Sequence, residues 1–157
     1  MKRRRGLTLI RQRHDMDCGV AALAMFLSVP YGDMAAVTRA RFGSLSPERR
    51  GLGLHHLEEL ATFYDRPLRR IYKAHDYLVG RTGVIGVIGG DMTWCGHWVV
   101  LKDGTTVVDP AAHGDADVWN VADYLQRNHC RLATLLVDAE IRSHAKSVVR
   151  CPSERNR

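Results

Sequence analysis

The sequence contains no CxxC pair, no run of eighteen consecutive apolar residues and no internal repeat. The first absence removes the usual ligand spacing of a structural zinc site, and no metal or other cofactor is expected. The second leaves no segment that reads as a membrane-spanning helix. Cys18, Cys95, Cys130 and Cys151 are too few and too irregularly placed for a disulfide framework in 157 residues, so reduced thiols and a cytoplasmic location are expected. No secretory signal is expected either. "MKRRRGLTLIRQR" begins with charge, but the apolar piece from Leu7 to Ile10 is too short for an h-region and no cleavage site follows it.

Acidic residues are scarce only at the ends. Residues 1–13 carry six Lys/Arg and no acid, and residues 142–157 carry five Lys/Arg and one acid, Glu154. The remaining 12 basic and 16 acidic residues give positions 14–141 a net charge of −4. The overall charge of +6 therefore belongs to the ends, which are expected to be solvated segments more than sites for nucleic acid or an anionic membrane surface. No zinc-finger pattern, RNP-like aromatic motif or basic amphipathic helix accompanies them. The expected organisation is a basic arm over 1–8, one domain over 9–141, and a basic, poorly ordered tail over 142–157. With 45% hydrophobic residues, one domain of this length can bury a substantial core.

Helical patterns come first along that domain. Gly19 to Val29 is rich in Ala, Leu, Met and Phe and stops before Pro30, with Asp17 placed to cap its start. "YGDMAAVTRARFG" predicts a second helix with Asp33 as cap and Gly43 beyond its end. Leu54, Leu57, Leu60 and Ala61 recur at helical spacing and predict a third, from Leu54 to about Tyr64. Short segments rich in β-branched residues follow: "LRRIY", "GVIGVIGG", "HWVVLKDGTTVVDP" and "CRLATLLVD", interrupted by one helix from roughly Asp117 to Gln126. Helices before strands predict an α+β fold with an antiparallel sheet.

Cys18 stands where the first helix begins. A thiol there meets the positive end of the helix dipole and unpaired N–H groups, which favour a nucleophilic thiolate; a buried, inert cysteine fits the same position. A nucleophile needs a base, and the base an orienting group. His97 and Asp109 flank the Asp103-Gly104 turn signal in "HWVVLKDGTTVVDP". A three-residue Lys102-Asp103-Gly104 loop sets His97 opposite Asp109 on one face. A two-residue Asp103-Gly104 turn sets His97 opposite Pro110 and sends Asp109 to the other face. Gly96 leaves room beside His97 for a substrate backbone or simply makes a turn. Trp94 and Trp98 could wall a cleft or pack the core. The other histidines receive no role.

Gln12 six residues before Cys18, "DCG" opening an apolar helix, then "GHWVVL" and "VVDP", resemble the papain-like cysteine peptidases that process double-glycine leader peptides of bacteriocins. The similarity spans about Leu9 to Val137, including "GLGLHHLEELATFY". It implies a papain-like fold, Cys18 as nucleophile, His97 as base and acid, Asp109 orienting His97, and Gln12 in the oxyanion hole. It also implies a peptide or protein substrate cut after Gly-Gly. The best-known members are N-terminal domains of peptide-exporting transporters, and no membrane or ATPase portion follows here, so the expected roles are trimming a peptide or protein in trans, work beside a separate transporter, or a host-directed or phage-related task. An acyltransferase or amidase shares the same acyl-enzyme and is not separated from a peptidase by sequence. A non-catalytic module that grips a Gly-Gly tail is the alternative outside enzymes, though it has no need of all four residues.

Overall fold

Residues Cys18–Leu27 form helix α1, and all ten are buried. The helix therefore lies inside the molecule, not across its surface. The chain, a computed structural model, is described over residues 7–43, 51–72, 78–90, 96–111 and 118–139. Trp94, Cys95, Cys151 and the predicted tail over 142–157 lie outside the described residues. Leu7, which the sequence assigns to the basic arm, already packs against the core with Leu9 and Ile10.

Helix α1 ends at Ser28, whose φ of 59° is left-handed, and Val29 N–H closes the turn onto Ala24 O at 3.0 Å. Pro30 then caps α2 (Tyr31–Phe42), which buries Tyr31, Met34, Ala35 and Thr38 at helical spacing. The expectation that Asp33 caps this helix is corrected: Asp33 lies within its first turn, because proline's fixed φ suits it to the entry position. Helix α3 (Leu54–Phe63) buries Leu57, Leu60 and Ala61. Its start has a feature the sequence reading missed: His56 Nδ1 accepts the Gly53 N–H at 2.9 Å, so this histidine supports a helix end.

The strands are β1 (Leu68–Ile71), β2 (Gly83–Gly89), β3 (His97–Lys102), β4 (Thr106–Val108), β5 (Val118–Asn120) and β6 (Cys130–Asp138), with α4 (Val121–Arg127) between the last two. They form one six-stranded sheet in the order β1-β6-β2-β3-β4-β5, and every neighbouring pair is antiparallel. The expected α+β class holds. The helix expected from about Asp117 starts later, because Val118, Trp119 and Asn120 pair with Val108, Val107 and Thr106. Asn120 then caps α4, its Oδ1 accepting Ala122 N–H at 2.9 Å.

Alternation along the strands divides the core between the two sheet faces. Val84, Val100, Val108 and Leu136 pack with α1, α2 and α3. Ile85, Val99, Leu101, Val107 and Leu135 pack on the opposite side with Tyr124 of α4. Trp98 joins the α1 side. Its indole meets Gly19 and Gly86, where an added Cβ would lie 3.2 Å and 3.0 Å from the ring, and its Nε1–H donates to Leu52 O at 2.7 Å.

The β3–β4 register differs from both predicted ones. Lys102 pairs with Thr106 and Val100 with Val108, so the loop is Asp103-Gly104-Thr105, and continuing the ladder sets Asp109 level with Val99. The shift from the first predicted register is two residues, which preserves the face. His97 and Asp109 remain on one side as diagonal neighbours. Asp103 and Gly104 both have positive φ, 52° and 74°, and a Cβ on Gly104 would lie 2.0 Å from Leu78 O. Gly104→Ala is therefore expected to destabilise the protein by more than about 2 kcal/mol. A denaturant midpoint equal to that of the wild type would show that the loop accepts a side chain.

Candidate active site

Cys18 is the first residue of α1 and is 7% exposed; His97, the first residue of β3, is 8% exposed. Gly96 leads into the strand with φ of 63°, and a Cβ there would approach Val87 O to 3.1 Å. That conformation admits glycine and aims the chain so that His97 follows directly. His97 Nε2 is 2.7 Å from Asp109 Oδ1, which leaves Nδ1 as the ring nitrogen on the side of Cys18.

Asp109 sits just beyond β4 and is held from three directions. Its Oδ1 accepts both His97 and the Ala111 N–H, the latter at 2.8 Å. Its Oδ2 accepts the Tyr124 hydroxyl at 2.7 Å. Tyr124 is 1% exposed, and burial, reinforced by the charge of Asp109, raises its pKa above the ordinary tyrosine range. Its hydroxyl therefore remains a donor.

Burial alone would make the His97 imidazole more acidic. The hydrogen bonds to Asp109 and to Cys18, followed by the charges of both, outweigh it and push the pKa up to about 10. Burial alone would likewise raise Asp109, but the His97 hydrogen bond and charge, with help from Tyr124 and the Ala111 amide, hold it below the usual carboxylate value. The two shifts describe one coupled arrangement: an imidazolium between a sulfur and a carboxylate.

Gln12 joins this group through its backbone. Its N–H donates to Pro110 O at 2.9 Å, one residue past Asp109. Its side-chain Nε2 donates to His14 O at 3.0 Å. The amide's second N–H is not needed by that bond, and Gln12 Oε1 is buried with no partner.

Asp17 is fully buried but does not cap α1 by its side chain, which corrects the sequence expectation. Oδ2 accepts instead from Arg13 N–H at 3.1 Å and from the Tyr31 hydroxyl. Neither Asp17 in this role nor Tyr124 carries a spacing signal. The nearest clue to Tyr124 is its place as a polar aromatic in the otherwise apolar inner positions of "VADYLQ".

Of the expected site residues, Cys18, His97 and Asp109 converge, Gln12 is attached beside them, and Trp98 is tied into the α1 side of the core. Cys18 and Cys130 are both free thiols, and burial raises the pKa of Cys130. Among the described residues, no three His, Cys, Asp or Glu side chains gather as metal ligands, and no helix is long and apolar enough to cross a membrane. The arrangement can activate a sulfur nucleophile and deliver a proton from His97 beside it. No family model and no curated protein sequence matches the chain.

Proposed function

We propose that this protein is a thiol-dependent peptidase of papain-like organisation, acting in the cytoplasm on a peptide or protein with a Gly-Gly sequence. The observation that carries the reading is His97, buried between the Cys18 thiol and a carboxylate that is itself anchored by Tyr124 and a backbone amide. A histidine that served only the core has no need of both neighbours. The Gly-Gly preference rests on the sequence resemblance.

The chemistry follows from the residues. Cys18 sulfur attacks the scissile carbonyl carbon, and the carbonyl π pair moves to oxygen. The Cys18 N–H and the remaining N–H of the Gln12 amide receive that oxyanion, each donor contributing about 3 to 4 kcal/mol in comparable sites. His97 then gives its proton to the leaving amine as the C–N bond breaks, and a thioester remains. Water, losing a proton to His97, attacks the thioester and releases the acid and the thiol. Asp109 keeps the ring oriented through both halves.

A peptide aldehyde ending in Gly-Gly tests the reading directly. The expected result, by intact mass and peptide mapping, is one adduct on Cys18, together with cleavage of the matching Gly-Gly amide substrate. An unreacted Cys18 would overturn the assignment. Adduct without cleavage would point to a binding module, and transfer of the acyl group to an added amine in preference to water would point to an acyltransferase. Cleavage only after bulky or charged residues would remove the Gly-Gly preference while leaving the thiol chemistry.

A further inference from the structure

The segment that leads to Cys18 is tied down at two consecutive backbone amides. Gln12 N–H is bound to Pro110 O at 2.9 Å, beside Asp109. Arg13 N–H is bound to Asp17 Oδ2 at 3.1 Å, beside Cys18. These two residues therefore bridge the strand end that carries the partner of His97 and the helix start that carries the thiol. The bridge is closed from a third side. Tyr31, the first residue of α2, donates its hydroxyl to the same Asp17 oxygen, and the Arg13 guanidinium lies 4.3 Å over the Tyr31 ring.

A carboxyl group with 0% exposure is costly to bury unless its contacts compensate. Asp17 forgoes the cap that its position offers and holds the Gln12–Arg13 strap instead. We propose that Asp17 is a positioning residue, a latch that fixes the Gln12 amide and the Cys18 N–H in place for an oxyanion. Its chemistry rests on the peptidase reading, whereas the latch itself is a set of hydrogen bonds that can be followed without turnover.

The geometry makes a discriminating forecast about substitutions. Both donors converge on Oδ2, while Oδ1 is buried without a partner. One acceptor oxygen is enough, so asparagine can present its carbonyl to both donors and set its NH2 group where Oδ1 stands. Alanine removes the acceptor and strands both donors.

The test compares full-length wild type, Asp17→Ala, Asp17→Asn and Tyr31→Phe by three readouts: hydrogen exchange at the Arg13 amide, alkylation of Cys18 by iodoacetamide, and adduct formation with the Gly-Gly aldehyde. Alkylation builds no oxyanion; aldehyde addition moves the carbonyl pair onto oxygen, which takes its proton from His97. In Asp17→Ala the Arg13 amide is expected to exchange freely and alkylation to stay unchanged. Aldehyde addition is expected to slow about tenfold to a hundredfold, as for other small displacements of reacting groups. Asp17→Asn restores protection and rate, and Tyr31→Phe falls between.

Retained Arg13 protection in Asp17→Ala, equal losses in alkylation and aldehyde addition, or an asparagine variant no better than alanine would each overturn the latch. If Asp17→Ala does not fold, Tyr31→Phe decides: slower aldehyde addition at unchanged alkylation supports the latch, and wild-type rates in both overturn it. A wild type whose Cys18 takes no aldehyde would instead defeat the peptidase reading, leaving Arg13 exchange to report on the latch alone.

Discussion

Cys18→Ala is expected to reduce peptide cleavage to the background rate, and His97→Ala to do nearly the same. Losses on the order of 10⁶-fold attend removal of a nucleophile or its base in comparable triads. The reason is bond-making: without the sulfur no thioester forms, and without the imidazole neither the thiol nor the leaving amine exchanges its proton. The double variant should be no worse than either single one, because the two groups act as a unit. Asp109→Asn should retain more activity than either. With its carbonyl in the place of Oδ1, asparagine can still accept His97 and the Ala111 N–H, and its NH2 group can donate to the Tyr124 oxygen, so the ring orientation survives while the charge is lost. Steady-state cleavage of one Gly-Gly peptide by the four variants, each shown to be folded, measures this order. Full activity in His97→Ala would remove the proposed base, and an Asp109→Asn loss equal to that of Cys18→Ala would give Asp109 a larger part than orientation.

These three residues were legible in the sequence for different reasons. Cys18 was legible because an apolar run of good helix formers begins beside it, and the helix does start there. The pairing of His97 with Asp109 was legible because side chains in strands alternate with period two. The observed register lies two residues from the predicted one, and an even offset leaves the facing side unchanged. An offset of one would have separated the pair. The turn differs from the expected one because both Asp103 and Gly104 take positive φ, which carries Lys102 into the ladder and leaves Thr105 in the loop.

What was not legible depends on long-range contact. Val118, Trp119 and Asn120 read as a helix start, and only the free edge of β4 makes them a strand. Asp17 has the residue type and place of a helix cap, yet Tyr31 on another helix and Arg13 behind it take its side chain. Tyr124 is distant from His97 in sequence and reaches Asp109 because β5 returns the chain along β4 before α4 begins. Pattern alone shows a polar residue, and the partner that gives it a task is supplied by topology.

Topology also sets the pH dependence expected of the proposed reaction. If His97 is the acid of the proposed reaction, the alkaline limb of kcat/KM is expected near pH 10, since the His97 proton is held to about that value. The ordinary histidine value is 6.5, so the shift is upward and the charged form is the one stabilised by folding. The stability that this contributes is complete below the unfolded value and is lost as the pH rises through the folded one. Between the two values the native state holds a proton that the unfolded chain releases, so unfolding by denaturant becomes easier with each step toward pH 10. Asp109 has the opposite sign: its pKa is lowered, so its contribution is present above the unfolded carboxylate value and disappears as the pH falls through the folded one. Asp109→Asn removes the charge and replaces the carboxylate by a weaker, neutral acceptor, leaving burial opposed mainly by Cys18. The alkaline limb should then move down by several pH units, and the fall in stability between neutral and alkaline pH should flatten with it. Tyr124→Phe acts at the other end, since without the hydroxyl Asp109 takes up a proton more readily and acid unfolding begins at higher pH. Rate profiles from pH 5 to 11 and denaturant midpoints over the same range measure the first effect, and an acid titration of the folded fraction carried below the carboxylate range measures the second. A wild-type alkaline limb at the ordinary histidine value, or one that Asp109→Asn leaves in place, would show that His97 does not carry the reacting proton.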